Sequence, residues 1–163
     1  MPEPTPYGLS RCFSQLLGRK VTFVQTTFAL DMHIRQMYGI YTLLPHETAI
    51  VVKADLPLLG SFAGTLVGLP DPVVKEHLIA TPLEELLRDA IYEVLDIASA
   101  AITNEGRAVF KKLVADPVYV DGAAGKILKN PDHRSYFTVS VDGYQGGRFT
   151  ILSQFVPVRT VSP

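Results

Sequence analysis

The 163-residue chain has one cysteine, Cys12, so no internal disulfide can form, which fits a reducing compartment. It has no excess of positive charge. Fifteen Lys and Arg against 16 Asp and Glu leave a net charge of −1, where a nucleic-acid binder would show a basic stripe. It has no apolar run long enough to cross a bilayer. Its opening residues, MPEPTPYG, hold neither a basic region nor an apolar stretch, so no secretory signal is expected and the expected location is cytoplasmic. The four histidines, at 33, 46, 77 and 133, form no helical pair, and with a single cysteine no zinc site is expected. No Gly-x-Ser-x-Gly elbow anchors a hydrolase triad. The glycine-rich DGYQGGRF runs into a strand pattern rather than a helix, so it reads as a hairpin turn and not as a phosphate-cradling loop. Cys12 lies on the apolar side of a helical pattern and reads as a small core residue. Arg19 and Lys20 read as a solvated strand edge.

What the chain does have is a generous apolar content, 47%. A chain of this length can bury roughly 68–70% of its unfolded surface. One domain over 1–163 is expected, with loose tails at 1–6 and 157–163. Leu9, Cys12, Phe13, Leu16 and Leu17 recur at helical spacing, with Gly18 as a cap. RKVTFVQTTF (19–28) reads as a strand, and MYGIYTLLP as a short one. TAIVVKAD and GSFAGTLVGL read as two strands joined by a turn at 57–60. DPVVKEHL reads as a short helix with Pro72 at its first position. A long helix then begins at Thr81 and Pro82. Its apolar face is Leu83, Leu86, Leu87, Ala90, Ile91, Val94, Ile97, Ala98, Ala101 and Ile102. Gly106 is a candidate end for this helix, while the phase continuing through Val109, Phe110 and Leu113 leaves room for a second helical segment. PVYV and GKILK read as strands. Residues 135–155 read as a hairpin turning at Asp142-Gly143. Helix, strand and hairpin occur in this order twice, a pattern compatible with a duplicated α-β-β-β unit.

The long helix carries Asp89, Glu93 and Asp96 on its polar side, at steps of four and three that stack them on one stripe, flanked by Tyr92 and Ala100. A polar outer face is the ordinary state of an amphipathic helix. Yet no Lys or Arg stands four residues after any of the three. The helix does not neutralise them, and they are available to a cation brought by another molecule.

Asp89, three residues, Glu93, two residues, Asp96, then Pro117 twenty residues on: this order resembles the signature of the CheC/CheX chemotaxis phosphatases, with Asp96 where the family has Asn. FSQLLGRKVTF (13–23) resembles the family's first helix running into its first strand, and DPVYVDG its strand after the motif helix. The single motif copy is closer to CheX; the first helix has only Ser10, Ser14 and Gln15 on its polar side. The resemblance implies an α+β fold, an antiparallel sheet with two long helices on one face. It implies docking of the motif helix on a phosphorylated response-regulator receiver domain in two-component signalling. There Glu93 would pair with the receiver's lysine and Asp96 would hold the attacking water, with Asp89, Tyr92 and Ala100 completing the docking face. It implies no cofactor of the chain's own, the magnesium belonging to the receiver. It also implies an edge-to-edge homodimer, for which the hairpin 135–155 is the candidate edge.

The substitution at position 96 has a physical consequence. An asparagine amide donates and accepts without charge, whereas an ionised aspartate only accepts and faces an anionic phosphoryl group. Two unit charges about 4 Å apart repel by roughly 4 kcal/mol at an effective dielectric near 20, more than the ~1 kcal/mol of a neutral hydrogen bond. Three readings follow: a divergent aspartyl-phosphate phosphatase of weak activity, a non-catalytic module of the same fold that binds a partner through the acidic stripe or a sheet edge, or a chain that keeps the fold without receiver binding.

Overall fold

The computed structural model describes residues 4–27, 34–45, 47–79, 83–103 and 106–154. Helix α1 (Pro6–Leu17) starts where the Thr5 hydroxyl accepts from the Gly8 N–H and stops at Gly18, whose φ of 64° is the left-handed cap glycine favours. Pro6 therefore belongs to the helix and not to a tail. The rest of the expected tails, residues 1–3 and 157–163, lies outside the described residues. Strands β1 (Val21–Thr26), β2 (Gln36–Leu44) and β3 (Thr48–Asp55) follow.

Residues 60–69 are not a strand. Helix α2 (Leu56–Val67) begins directly after β3, with Pro57 in its first turn. It is buried on nearly every side, so it shows no 3.6-residue rhythm, and its glycines suggested a turn. Those glycines have another use. A side chain at Gly60 would strike Leu78, and one at Gly64 would strike Val74, so the pair lets α2 close on helix α3 (Asp71–His77). Helix α4 runs over Glu85–Ile97, and α5 (Ser99–Ile102) continues it after a break at Ala98. The expected cap at Thr81 and Pro82 lies outside the described residues.

The helix expected through 109–113 is strand β4 (Arg107–Val114). Thr103 is extended and Gly106 turns at a φ of 66°, which ends the helical path. In β4 the register on β2 slips between Ile40 and Tyr41, leaving Lys111 as an extra residue. The bulge breaks the alternation, so Phe110, Leu113 and Val114 are buried at a spacing that imitates a helix. PVYV is no strand; Pro117–Tyr119 form a 3-10 turn whose first donor is capped by Asp116. GKILK falls within helix α6 (Gly122–Lys129), which buries Ala124 and Ile127. The hairpin β5 (His133–Val141) and β6 (Tyr144–Ser153) turns at Asp142-Gly143 as expected.

All six strands join one antiparallel sheet in the order β1-β5-β6-β3-β2-β4. Exchanging β1, β2 and β3 for β4, β5 and β6 reverses this order onto itself. The two α-β-β-β halves are thus related by topology, with β2-β3 as the first hairpin in place of β3 and residues 60–69. The expected α+β fold is present, with α1 and α4 on one face and α2 packed beside them over the main core. Helix α6 covers part of the other face over Tyr38, Ile40, Val51 and Leu152.

The sheet edges are β1 and β4. Both strands of the 133–153 hairpin are internal, so that hairpin cannot serve as a dimer edge. The β1 edge is also partly closed. Ser14 Oγ accepts from the Val21 N–H and donates to its carbonyl, and Ser10 Oγ accepts from the Phe23 N–H. The serines on the polar side of α1 thus satisfy edge groups that would otherwise invite another strand.

Candidate functional site

Helix α4 lies over the β2–β4 end of the sheet. Leu87, Ala90, Ile91, Val94 and Leu95 are its buried residues. Leu95 was absent from the expected face, although it stands four residues after Ile91. Leu86 and Ile97, expected to be buried, are 55% and 48% exposed. The buried stripe thus takes in Leu95, whose side chain lies over Gly39 of β2.

Asp89, Tyr92, Glu93, Asp96 and Ala100 all face solvent. Among the described residues no cation lies within ion-pair distance of Asp89, Glu93 or Asp96. Glu84, at the helix start, is engaged instead with His77 of α3. The last turn of α4 contains no basic residue. Asp96 therefore sits unneutralised at the negative end of the helix dipole, where an anion is disfavoured and an incoming cation is attracted. Leu86, Tyr92 and Ile97 add apolar surface to this exposed side. The expected stripe residues thus share one helix face, and Pro117 stands exposed at the turn after β4.

Sequence reasoning missed what holds the site from below. The Tyr41 ring is fully buried, and its hydroxyl donates to the Leu95 carbonyl at 2.6 Å. This satisfies a carbonyl at the break between α4 and α5, next to Asp96. Phe110 lies 5.0 Å from the Tyr41 ring and 4.7 Å from the Tyr92 ring, so an aromatic series runs from the core to the exposed Tyr92. Gly39 of β2 leaves room for Leu95 and Phe110 to close over the sheet. Only the regular placement of tyrosine and phenylalanine on β2 and β4 could have signalled this support.

Burial, and next the negative charge of Asp96, push the Tyr41 hydroxyl well above its ordinary value of 10. A folded-state value raised above the unfolded one gives stability that is complete below pH 10 and lost as pH climbs above it. Tyr41→Phe is expected to cost ~1–2 kcal/mol at neutral pH and to flatten that alkaline loss. Urea unfolding at pH 7 and pH 11 measures both; an unchanged alkaline slope refutes the assignment.

Two clefts border the exposed side of α4. One, about 530 Å³, lies between α1 and α5, with Arg11, Cys12, Gln15, Ile97 and Ala100 among its walls. Cys12 is therefore half-buried beside a groove and not a core residue; its burial raises the thiol's pKa and favours the neutral form. The other, about 470 Å³, lies between the end of α4, α5 and β4, and Asp96, Thr103 and Arg107 line it. Among the described residues no group of three or more His, Cys, Asp or Glu could hold a metal ion, and no helix is long and apolar enough to cross a membrane.

No profile of a known protein family matches the chain, and no curated protein matches it. Solved structures do. A chain of the FliM–SpeE complex from H. pylori superposes with a TM-score of 0.64 at 10% identity, covering 91% of this chain and 81% of that one. Thermotoga maritima FliY gives 0.61 at 14% identity, covering 90% and 82%. The chemotaxis protein CheX from Vibrio vulnificus gives 0.55 at 11% identity, covering 90% and 93%. At such identities the likeness is one of fold. The chain has the architecture of CheX and of FliM-type domains.

Proposed function

We propose that the outward face of α4 docks on the receiver domain of a phosphorylated response regulator in the cytoplasm. The observation that carries this reading is the unneutralised stripe Asp89, Glu93 and Asp96 on the exposed face of α4, with Asp96 at the negative end of its dipole, in a fold shared with CheX. Glu93 meets the receiver's lysine; Tyr92 and Ala100 form the adjoining contact surface. Asp96 reaches toward the aspartyl phosphate, whose magnesium the receiver supplies, so the chain brings no cofactor of its own.

Binding is the primary activity and hydrolysis a slow one. Phosphoryl transfer proceeds through a loose transition state helped mainly by positioning and charge neutralisation. A carboxylate offers general-base help of ~10²–10⁴ only where geometry permits, and it adds charge where charge must be neutralised. The second reading, a non-catalytic binding module on the same surface, is favoured by that same carboxylate at position 96.

The test is a titration of receivers from the same genome, loaded with beryllofluoride as a phosphoryl mimic. Wild type should bind, and Glu93→Lys should weaken binding at least about tenfold, since like charges replace opposite ones. Equal binding by wild type and Glu93→Lys refutes the docking face. A dephosphorylation time course then separates the readings: phosphate loss faster than the receiver's own decay marks a phosphatase, and an unchanged rate marks a module.

A further inference from the structure

We infer that Arg107 reads the phosphoryl group of the docked receiver, a role that rests on the docking proposed for α4. Arg107 is the exposed first residue of the edge strand β4, and it lines the same cleft as Asp96. Its backbone is fixed. Arg107 is paired in register with Leu44, and the preceding Gly106 turns so tightly against the Leu44 carbonyl that no side chain fits there. Among the described residues no carboxylate pairs with it. An unpaired guanidinium and an unpaired carboxylate thus share one cleft of about 470 Å³ at the end of the motif helix.

Asp96 by itself repels a phosphoryl group. A guanidinium in the same cleft offers two parallel N–H donors matched to phosphoryl oxygens. It supplies the positive charge that this site needs and that an asparagine at position 96 would not have required. The ligand class is a phosphorylated carboxylate presented by a protein surface. The plain alternative for Arg107 is a cation that blunts the edge of β4, as Lys111 and Lys112 on the same strand would.

The experiment measures affinity for a cognate receiver with and without beryllofluoride, for wild type, Arg107→Ala, Arg107→Lys and Glu93→Lys. Thermal melts check that each variant is folded. Arg107→Ala should lower the ratio of loaded to unloaded affinity about tenfold, the effect of removing a hydrogen bond to a charged group, and leave unloaded binding unchanged. Arg107→Lys should keep an intermediate ratio, and Glu93→Lys should weaken both forms together. An unchanged ratio in Arg107→Ala overturns the assignment and leaves the docking face intact, as does equal weakening of both forms. A wild type that binds neither form overturns the docking face, and the role of Arg107 with it.

Discussion

On the docking proposed for α4, Asp96→Asn is expected to dephosphorylate a cognate receiver roughly tenfold to a hundredfold faster than wild type. Two close unit charges repel by roughly 4 kcal/mol at an effective dielectric near 20. The receiver's magnesium and lysine cancel part of it, and a residual of about 1.4–2.7 kcal/mol corresponds to that range of rates. The substitution keeps the side chain's shape and adds a donor. It also removes a negative charge from the last turn of α4, where no basic residue opposes it, so helix stability should rise by a few tenths of a kcal/mol. A dephosphorylation time course of wild type beside Asp96→Asn decides the matter. A gain means that the scaffold is complete and only the chemistry was blunted. A slower Asp96→Asn would show the carboxylate acting as a base, and no activity in either would favour the binding module.

The largest expected loss of stability lies away from that surface. Asp55, 1% exposed, joins the end of β3 to the start of α2. Its oxygens accept from Gln36 Nε2 at 3.1 Å, from the Arg148 backbone N–H at 2.8 Å, and from Arg148 Nε and Nη2 at 3.2 Å each. One carboxylate thus ties β2, β3 and β6 together beneath α2. Gly147 lies close against it, where a side chain would crowd the carboxylate. Asp55→Ala removes all four bonds and leaves the guanidinium without this countercharge. Breaking a buried pair from one side costs about 3–5 kcal/mol, roughly a 10 °C fall in melting temperature for a chain of this size. Asp55→Asn, which keeps an acceptor, should lose less. Calorimetry of the two variants measures the difference, and a melting temperature within a degree of wild type would show that the network adds no stability. Because α2 packs on α4, the loss should also loosen α4.

The contrast between these two carboxylates shows where sequence reading works. The stripe on α4 was legible because side chains at steps of three and four on a helix share a face whatever surrounds it. Asp55 was not legible: its partners Gln36 and Arg148 come from strands 19 and 93 positions away. The elements misread are those whose pattern the sheet or a neighbouring helix imposes. Residues 60–69 looked like a strand because a helix buried on nearly every side has no clear periodic face. Residues 109–113 looked helical because a bulge at Lys111 spaces the buried residues unevenly.

By itself the sequence determined α1 with its glycine stop, the first strand, the 133–153 hairpin, and a stripe of carboxylates on the outside of α4 with no cation from their own helix. These follow from local backbone preferences and from helical or strand repeats, which act over a few residues. Tertiary structure alone decided that α2 is a helix, that α6 covers the second face, and that β5 and β6 lie inside the sheet. It also decided that Leu86 and Ile97 stay in solvent while Leu95 does not, and that Arg107 shares a cleft with Asp96. Each of these depends on which surfaces meet. That is set by packing between segments distant in the chain, which no local repeat records.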